Sequence, residues 1–196
     1  MNAVPTRIPD VQLLEPRVFE DSRGSFFESY NERVLAEMGI PGPFVQDNQS
    51  FSHKDVVRGL HYQIKQPQGK LIRCLRGEIY DVAVDLRRNS PTFCNWVAET
   101  LSAANHKMLW IPPGFAHGFM VLSDGAEVLY KATDFWAPQH ERTILWNDPA
   151  LQIAWPHKDR AILSLKDLAG STLEHAAVYE HFEQPETRTV THAVSR

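Results

Sequence analysis

The feature that most constrains this chain is a train of short alternating segments between about residues 44 and 156, each closed by a turn signal. "IYDVAVDL" (79–86) sets the pattern, with Tyr80, Val82, Val84 and Leu86 on one face and Asp81, Ala83 and Asp85 on the other. "CNWVAETL" (94–101), "KMLWI" (107–111), "GFMVL" (118–122) and "AEVLYKAT" (126–133) follow. Between them sit "RRNSP", "SAANH", "PPG", "SDG" and "DPA", the residue types that turns require. Short strands at near-regular spacing predict an antiparallel sandwich or barrel. Such barrels hold ligands in their mouths, so polar side chains pointing inward are functional candidates.

Helical periodicity is rare. "NERVLAEMG" (31–39) predicts a short helix with Val34, Leu35 and Met38 on one side and Gly39 as its stop. "STLEHAAVYEHF" (171–182) predicts a second, because Ser171 and Glu174 have capping-box spacing. The 196 residues contain no repeat, low-complexity tract or central linker. They read as a single domain, 1–196: a core over about 44–156, an N-terminal arm over 1–43, a C-terminal helical segment over about 160–183 and a tail over 184–196.

A net charge of −4 leaves no electrostatic footprint for nucleic acid or an anionic membrane. An anionic ligand therefore needs a local cluster of cations. No apolar run reaches the length of a membrane span, and the first residues lack the pattern of a secretory signal. Cys74 and Cys94 form no CxxC pair, which argues against structural zinc or a disulfide framework and suits a reducing cytoplasm.

Five stretches concentrate chemistry: "RGLHYQ" (58–63), "QGKLIRC" (68–74), "WIPPGFAHGF" (110–119), "EVLYKATDFW" (127–136) and "LSLKDL" (163–168). Strict alternation groups His61 and Gln63 with Gly59, and Arg58 with Leu60 and Tyr62. It groups Lys70 with Ile72 and Cys74, and makes Tyr130 the polar-tipped member of an otherwise apolar face. His61 alone reads first as a structural histidine, with a metal ligand or a base as the alternatives. "HYQ" followed by "PPGFAH" echoes the two histidine motifs of cupin metal sites. Gln63, however, stands where the second histidine belongs, and no glutamate follows within a dozen residues. One or two imidazoles make a poor site for a first-row metal, so none is expected. Serine and cysteine nucleophiles lack their usual contexts. A His, a Tyr, a Lys and an Asp instead form the set that moves protons beside a carbonyl.

Six stretches taken in order carry a more specific resemblance. They are "FEDSRGSFFESYN", "VQDNQSFSHKDVVRGLHYQ", "GKLIRCLRGEIYDVAVDLRRNSPTF", "LWIPPGFAHGFMVLSD", "YKATDFWAPQHERTILWNDPAL" and "LSLKD". From about residue 4 to 170 the chain resembles the dTDP-4-dehydrorhamnose 3,5-epimerase family. The resemblance implies a mainly β, cupin-like antiparallel jelly-roll barrel with short flanking helices, assembled as a homodimer. It implies a dTDP-4-keto-6-deoxyhexose substrate, with no metal, no cofactor, no nucleic acid and no membrane partner. Carried over by position, His61 is the base, Asp167 its orienting partner, Tyr130 the acid, and Lys70 the neighbour of the developing enolate. Arg23, Glu28, Gln46, Asn48 and Arg58 match nucleotide- and phosphate-binding positions. His117, Glu141 and Lys166 match other ligand contacts, and Trp136 matches an aromatic that stacks on thymine. Cys94 departs from the pattern, standing where glycine is expected, and "LAGST" after Asp167 departs from it too. A C5-only or C3-only epimerase, a ketoisomerase and a noncatalytic sugar-nucleotide-binding protein are the rival expectations.

Overall fold

The computed structural model describes residues 1–183, so the tail set at 184–196 lies outside the described residues. Two antiparallel sheets face each other. With strands numbered along the chain, the larger has the order β1 (Asn2–Pro5), β2 (Gln12–Glu15), β10 (Met108–Ile111), β7 (Lys70–Arg76), β12 (Gly125–Ala132), β5 (Gln46–His53). The smaller runs β13 (Glu141–Thr143), β6 (Val57–Gln63), β11 (Phe115–Val121), β8 (Glu78–Asp85), β9 (Trp96–Ser102). From β5 to β13 the chain changes sheet at every step except β8 to β9, the interleaving of a jelly roll. β3 (Phe19–Asp21) and β4 (Gly24–Phe26) form a separate hairpin. Residues 2–15, set by the sequence in an arm ahead of the core, supply the first two strands of the larger sheet, and Leu13 and Leu14 are buried there.

The smaller sheet is buried on both faces. Ile79, Ala83 and Phe119 meet Ile72, Cys74 and Val128 of the larger sheet in the barrel interior. Val57, Leu60, Val82 and Met120 point outward, where Trp146, Trp155 and Tyr179 cover them. Full burial of a side chain such as Leu60 is worth about 1.5–3 kcal/mol. The alternation of "IYDVAVDL" therefore separates two interiors, and its polar face, Asp81 included, looks into the barrel.

Helix α1 (Glu32–Glu37) forms as its sequence predicts: Asn31 caps it, accepting from Arg33 N–H at 3.1 Å and Val34 N–H at 3.3 Å, and Leu35 is buried. The helix expected over 171–182 is instead one 3-10 turn, Leu173–His175, in extended chain. Tertiary pairing outweighs the capping box there. Leu145 N–H donates to the Ser171 carbonyl at 2.8 Å, and Tyr179 N–H donates to the Leu86 carbonyl at 3.1 Å. An extended strap meets both partners, whereas a helix would draw these donors and acceptors inward. At Cys94 the expected glycine has a physical reason, since φ is 64°, the left-handed region that glycine enters without strain.

Candidate active site

The site is built around an irregularity in β6. Against β11, Arg58 pairs with Phe119 and His61 with His117, so one step of two on β11 spans three on β6. The extra residue is a bulge at Gly59, whose φ is 119°. A Cβ on Gly59 would lie 2.6 Å from Gly118 Cα and 2.7 Å from the His117 carbonyl oxygen, so only glycine fits. The bulge reverses the side-chain alternation. Arg58, expected on the face opposite His61, therefore shares the interior face with His61 and Gln63, while Leu60 and Tyr62 pack outside.

A cavity of about 270 Å³ opens between the sheets and is lined by His61 and Gln63 of β6, Lys70 of β7, Tyr130 of β12 and Glu141 of β13. Gln46, Asn48, Gln68, Trp136 and Lys166 complete it. Alternation places Lys70 and Tyr130 on the interior face of the larger sheet, across from His61. The Lys70 ammonium lies 5.9 Å from the centre of the Tyr130 ring.

Asp167 reaches His61 from 106 residues away. It sits on the short helix α2 (Leu165–Leu168), and its Oδ1 lies 2.5 Å from His61 Nε2. Ser164 caps this helix. Its hydroxyl donates to Asp167 Oδ2 at 2.7 Å and accepts from the Asp167 N–H at 3.1 Å. Burial pushes the Asp167 carboxyl up, but hydrogen bonds from His61, Ser164 and the Gly59 backbone outweigh it and hold the pKa below the ordinary value. An ionised acceptor on Nε2 makes Nε2 the protonated nitrogen and leaves the Nδ1 lone pair free to take a proton. The His61 side chain is 27% exposed and Asp167 only 5%, so the pair opens to the cavity through the imidazole.

Burial lowers the Lys70 pKa to about 8, opposed by Glu141 and Asp81 and assisted by Lys166. It raises that of Tyr130, helped by Glu141 and opposed by Arg58, so the phenol holds its proton. Lys166 Nζ contacts Glu141 Oε2 at 2.5 Å across the mouth. Arg58 donates to Ser52 Oγ at 2.8 Å on the same interior face. Trp136, 57% exposed, donates its backbone N–H to Gln46 Oε1 at 2.8 Å.

Besides Asp167, which meets the cavity through His61, four site residues are not in its lining: Arg58, His117, Arg23 and Glu28. His117 is buried behind it with its Nε2 2.9 Å from Asp81 Oδ2. Burial lowers its pKa, opposed by Asp81 and assisted by Lys70 and His61. Arg23 is exposed on the β3–β4 turn, 2.6 Å from Asp21, and Glu28 accepts from Asn31 Nδ2 at 3.0 Å. Sequence reasoning missed Asp81 and Ser164. A buried aspartate in an apolar strand needs a partner, which was a usable signal for Asp81. Ser164, three residues before Asp167, has N-cap spacing.

Among the described residues no three His, Cys, Asp or Glu side chains cluster as metal ligands, and no helix is long and apolar enough to cross a membrane. At the position of a second cupin histidine, Gln63 has both ends of its amide engaged: Nε2 donates to the Gln66 carbonyl at 2.7 Å, and Oε1 accepts from Ala137 N–H at 2.8 Å.

A family model described as dTDP-4-dehydrorhamnose 3,5-epimerase matches residues 5–175. A dTDP-4-dehydrorhamnose 3,5-epimerase of Pseudomonas aeruginosa is 62% identical over 177 residues, covering 90% of this chain and 98% of that protein. A dTDP-6-deoxy-D-glucose-3,5-epimerase of Legionella pneumophila, solved with dTDP-4-keto-L-rhamnose, superposes with a TM-score of 0.87 at 47% identity, covering 90% of this chain and 94% of that one. A 3'-monoepimerase of Streptomyces bikiniensis, solved with dTDP-quinovose, superposes at 0.81 with 32% identity, covering 87% of each chain. The cupin-like jelly roll expected from the sequence is thus the fold of its structural neighbours.

Proposed function

The chain belongs to the dTDP-4-dehydrorhamnose 3,5-epimerase family, and from that premise we propose that it inverts a dTDP-4-keto-6-deoxyhexose at both C3 and C5. The observation that carries the reading is the His61–Asp167 pair opening into a cavity whose opposite wall holds Tyr130 and Lys70. A C4 ketone acidifies the protons on both neighbouring carbons, so one constellation can serve C3 and C5 in turn. His61 Nδ1 takes the proton. Asp167 fixes the tautomer and balances the imidazolium charge. The Lys70 ammonium, whose pKa burial lowers to about 8, stabilises the enolate oxygen. Tyr130 returns a proton from the opposite sheet, which inverts the carbon. No redox partner enters, since no electron pair leaves the substrate.

We assign Arg58 to the diphosphate, Gln46 and Asn48 to the nucleotide, Trp136 to thymine, and Glu141 with Lys166 to the mouth over the sugar. His117 supports the site from behind through Asp81. Arg23 and Glu28 lie outside this protomer's cavity, and we assign them to the cavity of a second copy in a homodimer. The β3–β4 hairpin that carries Arg23 pairs with no other strand among the described residues, and its Phe26 is 73% exposed. Both observations suit a segment that docks on a partner. Two free cysteines suit a cytoplasmic enzyme.

The higher identity to 3,5-epimerases than to the monoepimerase favours action at both carbons. Turnover tests this reading: the 4-keto-6-deoxy-D-glucose nucleotide, the chain and a dTDP-4-keto-rhamnose reductase together should yield dTDP-L-rhamnose. A product inverted at one carbon selects the monoepimerase, and bound but unchanged substrate selects a noncatalytic binding protein.

A further inference from the structure

We propose that Gln63 is a positioning residue that builds the cavity mouth for the nucleoside end of the substrate and acts on binding rather than on proton transfer. The inference rests on the epimerase reading above. Gln63 lies two residues from His61 on the same interior face of β6, yet its side chain is buried and turned to a neighbouring loop. Its Nε2 donates to the Phe135 carbonyl at 3.3 Å as well as to the Gln66 carbonyl, and its Oε1 accepts from Ala137 N–H. Between those two gripped residues stands Trp136, whose own N–H is held by Gln46 Oε1 of β5. Two amides, one from each sheet, thus grip three consecutive backbone units of the loop that leads from Tyr130 to Glu141. The exposed indole they present belongs to the middle unit of the three.

The amide chemistry is specific. Two carbonyls and one N–H must be satisfied in a buried position, which needs a donor and an acceptor on one short planar group. A carboxylate would set oxygen against the Phe135 and Gln66 carbonyls. An imidazole has no atom able to donate twice. Where a metal-binding relative of this fold would use the position to hold an ion, this chain uses it to hold a wall. His61 depends on Asp167 and the β6 backbone, so loosening the wall leaves the proton-transfer geometry in place.

The test compares Gln63→Glu, Gln63→Met and Trp136→Ala with the unaltered chain, following kcat, KM and calorimetric affinity for dTDP. Thermal melts establish that each variant folds, and Gln63→Glu, which keeps volume and the Oε1 acceptor, carries the test should Gln63→Met not fold. KM and the dTDP Kd should rise together by roughly tenfold or more while kcat stays within about threefold, the mark of lost binding common to ground and transition states. Adding Trp136→Ala to Gln63→Glu should weaken dTDP binding little further, because both changes remove the same surface. A fall in kcat at unchanged KM would overturn the proposal by placing Gln63 in the proton transfer, and so would effects of the two substitutions that simply multiply. Unaltered chain that binds no dTDP would instead sink the epimerase reading, and this inference with it.

Discussion

Two histidines sit directly opposite each other on neighbouring strands, and each has an aspartate on its Nε2. His61 of β6 and His117 of β11 are register partners, bonded to Asp167 and Asp81. The differences lie in what surrounds them. His117 and Asp81 are 7% and 0% exposed, and both belong to the same sheet. His61 opens to the cavity, and its aspartate arrives from a separate segment pinned to the start of β6 by Val57 N–H to the Ile162 carbonyl at 2.9 Å. Residue type and pairing alone do not make a base. An imidazole that lines a cavity can act as one, and of the two only His61 does.

The largest effect should come from His61→Ala, which removes the proposed base. Turnover is expected to fall about 10⁴-fold, in line with loss of a member of a catalytic triad, while the dTDP Kd changes by less than about threefold. Equal loss of binding would reduce His61 to a structural role. Asp167→Asn should follow, with a kcat loss of about 10³-fold, since an amide can reverse the tautomer. Activity retained within tenfold would show that the pair's orientation is not needed.

Lys70 gives a sharper test through pH. Its folded pKa of about 8 lies below the unfolded value of 10.5, so the unfolded chain binds more protons between those two limits. Stability relative to a Lys70→Met variant should therefore rise from pH 8 to 10.5, as the cost of a buried charge is relieved. Over the same range kcat should fall, because the ammonium proposed to stabilise the enolate is lost. Chemical denaturation and initial rates across that window check both signs. Lys70→Met should lower kcat by about 10²–10³-fold at pH 7, and parallel movement of stability and rate would count against this role. A smaller loss, about tenfold, is expected for Ser164→Ala, which removes one charge-assisted hydrogen bond of about 1.5–3 kcal/mol from Asp167. Smallest of all, a chelator should leave the rate unchanged, and inactivation reversed by added metal would revive a cupin-type site.

The contrast between the two pairs also marks what the sequence could reveal. Period-two alternation is a local signal, and it located β7, β8 and β12 and the facing of Lys70 and Tyr130. It did not tell solvent from interior on β8, because that strand is buried on both sides. Gly59 within a strand was the visible trace of a bulge, yet strict alternation put Arg58 on the wrong face. Asp167 reached His61 in the reading only through resemblance, since 106 residues of chain carry no local signal of contact. The helix expected over 171–182 was lost because its capping signal is local while Ser171 and Tyr179 are recruited by distant strands. Arg23 and Glu28 match the family by position alone, and the chain's own cavity does not include them.

The most direct test of the account is solvent exchange at the two acidified carbons. The 4-keto-6-deoxy nucleotide sugar is incubated in heavy water with the unaltered chain, with His61→Asn, and with the paired variant His117→Asn/Asp81→Asn, which removes the buried pair without stranding a charge. Deuterium is expected at C3 and C5 with the unaltered chain, none with His61→Asn despite retained dTDP binding, and exchange at both carbons with the paired variant. Exchange that survives in His61→Asn but disappears when the His117 pair is removed would contradict that expectation.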